Sequence, residues 1–215
     1  MPVRNIPKNY RNVTGIAAHN KAQGQAMFES TLERDLITLL QFDPLVDTFE
    51  VQPLMIEWHD GEKLRTYTPD VLVYYTQPRQ PTTLFEVKYR SDLKELWPVL
   101  KPKFKAARHY AKGKDWKFKL ITEKEIRNPY LDNAKFLISF VNKGPSSEMD
   151  MDVLDDAIRK LEHSTPRQLL GSIYIDEWNQ AKLLPTLWHL IGTRQIATDL
   201  TQKLTMASPI WRLNA

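Results

Sequence analysis

Asp70 follows Pro69 at the head of an apolar run, Val71-Leu72-Val73, and Glu86 and Lys88 flank Val87 in a second run that opens with Leu84 and Phe85. Both runs read as strands, joined by the polar stretch Thr76 to Thr83. Side chains two apart on a strand share a face, so Glu86 and Lys88 project together while Val87 turns into the core. If the strands pair as a hairpin, Asp70 sits beside Glu86, and the cluster holds two carboxylates and an ammonium. Carboxylates at short range raise each other's pKa unless a cation stands between them. Mg²⁺ suits that place, because it takes hard oxygen ligands and often uses one or two carboxylates with phosphate oxygens; Mn²⁺ is a substitute. A cation there polarises a scissile phosphate and activates a water, and Lys88 can orient that water or meet the developing charge. The plain alternative is a strand start next to a solvated Glu/Lys pair. The apolar runs weigh against it, since unpaired charge is costly on interior strands.

The elements that must position this cluster begin upstream. Phe28, Leu32, Leu36, Leu39 and Leu40 recur at helical spacing. Glu29 and Glu33 lie one turn apart on that helix. Glu33 is within a turn of the apolar stripe and can reach inward as a third carboxylate; a surface ion pair with Arg34 or a neighbour is the alternative. A helical Glu33, then Pro69-Asp70, then Glu86-Val87-Lys88, resembles the PD-(D/E)XK nuclease superfamily. The longer strings Phe28-Glu29-Ser30-Thr31-Leu32-Glu33-Arg34-Asp35, Tyr67-Thr68-Pro69-Asp70 and Phe85-Glu86-Val87-Lys88 are similar to TnsA-like transposon endonucleases, from about Arg11 to the C-terminus.

That resemblance implies a restriction-endonuclease-like α/β fold, a mixed sheet flanked by helices, with a smaller C-terminal winged-helix-like domain. It implies that Glu33, Asp70 and Glu86 bind divalent metal and that Lys88 completes the catalytic set. Some family members carry Gln at the position of Glu86; here the set is fully acidic. It implies a DNA endonuclease that cuts the 5′, non-transferred strands at the ends of a cut-and-paste transposon. The partners are then double-stranded DNA, a separate DDE transposase subunit (TnsB-like) and an AAA+ regulator ATPase (TnsC-like). The compact length looks like the TnsA proteins of CRISPR-associated transposons. Two rivals stand beside this reading: a stand-alone restriction-type or junction-resolving nuclease, and a non-catalytic DNA or protein assembly adaptor.

Composition sets outer bounds. The chain has 215 residues, 42% of them hydrophobic, enough for one large domain or two modest ones. It has no cysteine, which excludes disulfides, thiolate zinc sites and a cysteine nucleophile. A net charge of +4 permits a polyanion partner. No run approaches the ~20 apolar residues of a membrane span, and Met1 to Lys8 lacks a signal peptide's apolar core. The expected location is the cytoplasm. The histidines are scattered, no Gly-x-x-x-x-Gly-Lys loop is present, and a serine triad has no local support.

Along the chain, residues 1–25 read as a basic arm, in which Arg11 is a candidate DNA contact; a loosely ordered terminus is the alternative. Residues 26–144 read as the nuclease domain. Asp60-Gly61 predicts a hairpin turn between a strand ending near Trp58 and one over Lys63 to Tyr67. Pro98 and Pro102 predict a short helix near Asp92 to Trp97 and a second from Lys101. That second helix carries Lys101, Lys103, Lys105 and Arg108, candidate DNA phosphate contacts or a solvated face. Lys117 to Ile121 predicts a strand, and Thr122 to Lys143 continues as helix. Gly144-Pro145-Ser146-Ser147 reads as the domain linker. Residues 145–215 then predict helices over Val153 to Leu161, Arg167 to Ile173 and Asp176 to Leu184, a further helix opening at Pro185, and strands over Gln195 to Leu200 and Ser208 to Leu213. Pro185 to Gly192 has no Lys or Arg, so major-groove reading by that helix is doubtful and protein docking at least as plausible.

Overall fold

The computed structural model describes residues 15–17, 21–24 and 26–213, so Arg11 and most of the predicted arm lie outside the described residues. The chain divides into two compact units, residues 1–127 and 128–215.

The first unit runs β1 (Gly15–Ala17), β2 (Ala26–Phe28), α1 (Thr31–Phe42), β3 (Val46–Val51), β4 (Ile56–Asp60), β5 (Lys63–Tyr67), β6 (Val71–Tyr75), β7 (Thr83–Val87), α2 (Arg90–Gly113), β8 (Lys117–Ile121) and α3 (Glu123–Ile126). Its central sheet has the order β3-β6-β7-β8. β6 is antiparallel to both β3 and β7, while β7 and β8 are parallel and joined across α2. The predicted hairpin pairs with Val71 opposite Phe85 and Leu72 opposite Leu84. This register puts Asp70, Leu72, Leu84 and Glu86 on one face of the sheet. Leu72 and Leu84 pack there with Ala107 of α2 and with Ile56 and Tyr67 of the β4–β5 ribbon. Gly61, at φ +63°, supplies the left-handed turn that Asp60-Gly61 predicts. The mixed sheet flanked by helices matches the fold expected from the sequence.

α2 differs from expectation, because it continues through Pro98 and Pro102 as one helix of 24 residues. Leu100, Phe104, Ala107 and Ala111 are buried at helical spacing and hold it together. Both prolines lie on the exposed side, one turn apart. The carbonyls of Lys94 and Pro98, which lose their helical partners, can therefore be hydrated.

The second unit runs α4 (Pro129–Lys143), α5 (Glu148–Leu161), β9 (His163–Ser164), α6 (Pro166–Ile173), α7 (Glu177–Gly192), β10 (Ile196–Thr198) and β11 (Ile210–Arg212). The helix predicted from Thr122 to Lys143 is broken after α3, where Asn128 caps α4 and Pro129 opens it. The boundary expected at Gly144 falls inside this unit, between α4 and α5. α4 packs on α7: Phe136 meets Trp188 edge-to-face at 5.3 Å, and His189 Nδ1 bonds the Phe140 carbonyl at 3.1 Å. The Gly-Pro-Ser-Ser stretch is thus an inter-helix turn. Pro185, predicted to open a new helix, lies within α7, whose buried Leu183, Leu187, Trp188 and Ile191 hold it straight through. The C-terminal strands form a small antiparallel sheet, order β10-β11-β9. β9 has two residues, too few to show a period. No helix among the described residues is long and apolar enough to cross a membrane.

Candidate active site

Asp70 stands just before β6, where its backbone N–H donates to the Phe85 carbonyl at 3.2 Å and its carbonyl accepts from Gln52 N–H at 2.8 Å. The aspartate is therefore clamped between β3 and β7 although Pro69 contributes no donor. Its Oδ2 accepts the Val87 N–H at 2.6 Å. Lys88 Nζ lies 3.8 Å from that oxygen and 3.0 Å from Glu86 Oε1. The pairing predicted from spacing alone is present.

Glu86 is 1% exposed on an apolar strand, a position that demands charge compensation. Lys88 supplies part of it. Lys103 of α2 supplies more, with Nζ 3.1 Å from Oε1, and the Tyr67 hydroxyl donates to Oε2. Lys101, Lys105 and Arg108 are exposed on α2, so Lys103 stands apart from the other predicted phosphate contacts.

Glu33 occupies the first turn of α1. Its Oε2 accepts the Glu29 N–H at 2.9 Å and its Oε1 accepts the Ser30 hydroxyl at 2.8 Å, while Ser30 caps the helix through the Glu33 N–H. The carboxylate is tied to the helix start, and its charge acts on both Asp70 and Lys88. Arg127 braces this end of α1: Nε bonds Asp35 Oδ2 at 2.9 Å and a terminal nitrogen bonds Thr31 Oγ1 at 2.8 Å.

The electrostatics favour a bound cation. Burial, then the charge of Glu86, pushes the Asp70 carboxyl well above the usual carboxylate range, and Glu33 adds to the shift against the opposing effect of Lys88. Burial also raises Glu33. Burial works to discharge Lys88, but Asp70 and Glu86 outweigh it and its pKa is raised. Burial and Glu86 likewise keep Tyr67 protonated as a donor.

Asp70, Glu86, Lys88, Lys103 and Tyr67 line an open cleft of about 510 Å³ together with Gln52, Glu29 and Met55, whereas Glu33 is not among its lining residues. Gln52 has a left-handed backbone, φ 49°, sparsely populated for a residue with a side chain. It is 7% exposed, and its Nε2 donates to Glu29 Oε1 at 3.2 Å. The reverse amide orientation would set two acceptors against each other, so Oε1 is the atom left over. Among the described residues Oε1 has no hydrogen-bond partner.

A buried acceptor without a donor, beside an aspartate whose charge is disfavoured, fits a hydrated dication. Among the described residues no group of three or more acidic or histidine side chains converges as a full protein cage. Mg²⁺ does not need one, because it keeps several waters and binds through one or two carboxylates.

Sequence reasoning missed Tyr67, Gln52 and Arg127, and gave Lys103 a different task. One signal was available: an acid embedded in Leu-Phe-Glu-Val needs donors from outside its own strand.

Residues 43–123 match the family model described as "TnsA-like endonuclease N terminal", and residues 125–200 match "TnsA endonuclease C terminal". No curated protein matches the chain. The first match contains Tyr67, Asp70, Glu86, Lys88 and Lys103, and the two follow one another in the order their descriptions require. The chain belongs to the TnsA-like endonucleases, nucleases associated with transposons.

Proposed function

We propose that this protein is the Mg²⁺-dependent endonuclease subunit of a heteromeric cut-and-paste transposase, acting in the cytoplasm on the 5′, non-transferred strands at transposon ends. The carrying observation is the convergence of Asp70, Glu86 and Lys88 in one open cleft within the segment that matches the family. Asp70 and Glu86 are the carboxylates that would hold Mg²⁺ or Mn²⁺, with Gln52 Oε1 as an acceptor for a water of its shell. The cation would polarise the scissile phosphate and lower the pKa of a water. Lys88, its charge reinforced by two carboxylates, works as a donor that orients the attacking water and meets negative charge; it is not a general base. Glu33 assists through its charge on Asp70 and Lys88.

Lys101, Lys105 and Arg108 present an exposed basic face to DNA phosphates. In the second unit, helices α5 to α7, with β9 between α5 and α6 and with β10 and β11 after α7, suit a winged-helix-like reading. With few basic residues on α7, its task is protein docking, and the TnsB-like transposase and TnsC-like ATPase supply end recognition and control. The test is cleavage of strand-labelled DNA carrying the transposon ends, with and without the partner transposase. Cuts confined to the 5′ strands and dependent on the partner are expected. Cutting at equal rate without it would transfer the protein to the stand-alone nucleases.

A further inference from the structure

Both oxygens of the Glu86 carboxylate are engaged by donors of the protein itself. Its Oε1 receives Lys88 at 3.0 Å and Lys103 at 3.1 Å, and its Oε2 receives the Tyr67 hydroxyl. Lys103 is held on its other sides as well, with Nζ 4.8 Å from the centre of the Tyr67 ring and 5.3 Å from that of Phe104. An ammonium over two aromatic rings and against a buried carboxylate is fixed far more firmly than a solvated lysine. Lys101 and Lys105, two positions to either side on α2, are exposed. Only Lys103 among these faces the sheet, because α2 leaves the end of β7 and crosses back over it to reach β8.

Lys88 and Lys103 both stand against Glu86, so this one carboxylate is compensated without a dication, while Glu29 on the cleft wall and the charge of Glu33 leave the surroundings of Asp70 acidic. A dication approaching Glu86 must displace or lie beside an ammonium already in contact with it, and like charges at that range oppose each other strongly in a partly dry site.

We propose that Lys103 is a second lysine of the active site, a positioning residue whose ammonium holds Glu86 in the cation's stead until cation and DNA enter together. This rests on the nuclease reading above. Lys103 then serves the site twice. Without DNA it keeps the buried carboxylate compensated and cation affinity low. With DNA, the ammonium released from Glu86 lies where the incoming phosphate brings negative charge.

The test is Mn²⁺ binding to the full-length protein without DNA, measured by titration calorimetry. Lys103→Met should bind Mn²⁺ about tenfold more tightly than wild type, since one positive charge has left the carboxylate. Lys103→Arg, which keeps the charge, and Lys105→Met, which removes an exposed one, should stay near the wild-type affinity. A merely structural lysine would not give this pattern, because a loosened site does not gain affinity. Should Lys103→Met fail to fold, Lys103→Gln keeps a donor for Glu86 without charge and carries the same expectation. Unchanged or weaker Mn²⁺ binding by the neutral variants, with wild type still cutting DNA, would overturn this inference alone. Wild type that neither binds Mn²⁺ nor cuts would overturn the nuclease reading beneath it.

Discussion

Asp70 is held in a state it would not choose in water. Burial and the neighbouring Glu86 raise its pKa, so over the range between the unfolded and folded values the folded protein binds a proton more readily than the unfolded chain does. The sign of the consequence follows from linkage. The stability tied to this proton is complete below the unfolded value, about 3.9, and is lost as pH rises through the higher folded value. In a chelator, the denaturant midpoint of wild type should therefore fall more steeply than that of Asp70→Asn as pH climbs from about 4 toward neutrality. Parallel profiles would show that Asp70 carries no such burden. Asp70, Glu86 and Lys88 were legible in the sequence because a period of two fixes which strand residues share a face. Tyr67, Lys103 and Gln52 were not, because each reaches Glu86 or the cleft through tertiary folding of the β4–β5 ribbon, α2 and the end of β3. Nothing in their local pattern separates them from solvated residues.

At the scale of elements, α2 has two sides with different work. The buried side, Leu100, Phe104, Ala107 and Ala111, covers the sheet, and Lys103 leans from it onto Glu86. The outer side offers Lys101, Lys105 and Arg108. If these meet phosphates, replacing each with alanine should lower the slope of log affinity against log salt by about 0.9 per lost contact on duplex DNA. An unchanged slope in the triple variant would make this a solvated face. α4 and α7 approach closely at Gly192, where an added Cβ would come 2.5 Å from Val141 Cγ2 and 3.5 Å from Leu137 Cβ. Gly192→Ala should destabilise the second unit by about 1–3 kcal/mol in denaturant unfolding. An effect near zero would mean that the helices separate without cost. The start of α6 was legible, where Thr165 caps it and Pro166 opens it; those of α1 and α4 were not, because helical spacing ran the first back to Phe28 and carried the second through from Thr122, across the caps Ser30 and Asn128. Interior prolines misled, because Pro98, Pro102 and Pro185 lie in helices whose buried faces outweigh a lost hydrogen bond.

At the scale of the whole molecule, the chain is two compact units, each with its own core, and two successive family matches. The mixed sheet of the first was legible from the strand order, and the Asp60-Gly61 turn announced the separate β4–β5 ribbon. The division between units was not, because Gly-Pro-Ser-Ser looks like a linker wherever it occurs, and only the packing of α4 on α7 shows that here it joins two helices of one unit. The central claim is that the Asp70–Glu86–Lys88 cleft is where DNA is cut. The most direct measurement compares Mg²⁺-dependent cleavage of transposon-end DNA by wild type, Asp70→Ala and Lys88→Ala, in the presence of the partner transposase, with all three shown to be folded. The account predicts that both variants lose cleavage by at least about 100-fold and still bind DNA. Cleavage by Asp70→Ala at the wild-type rate would contradict it.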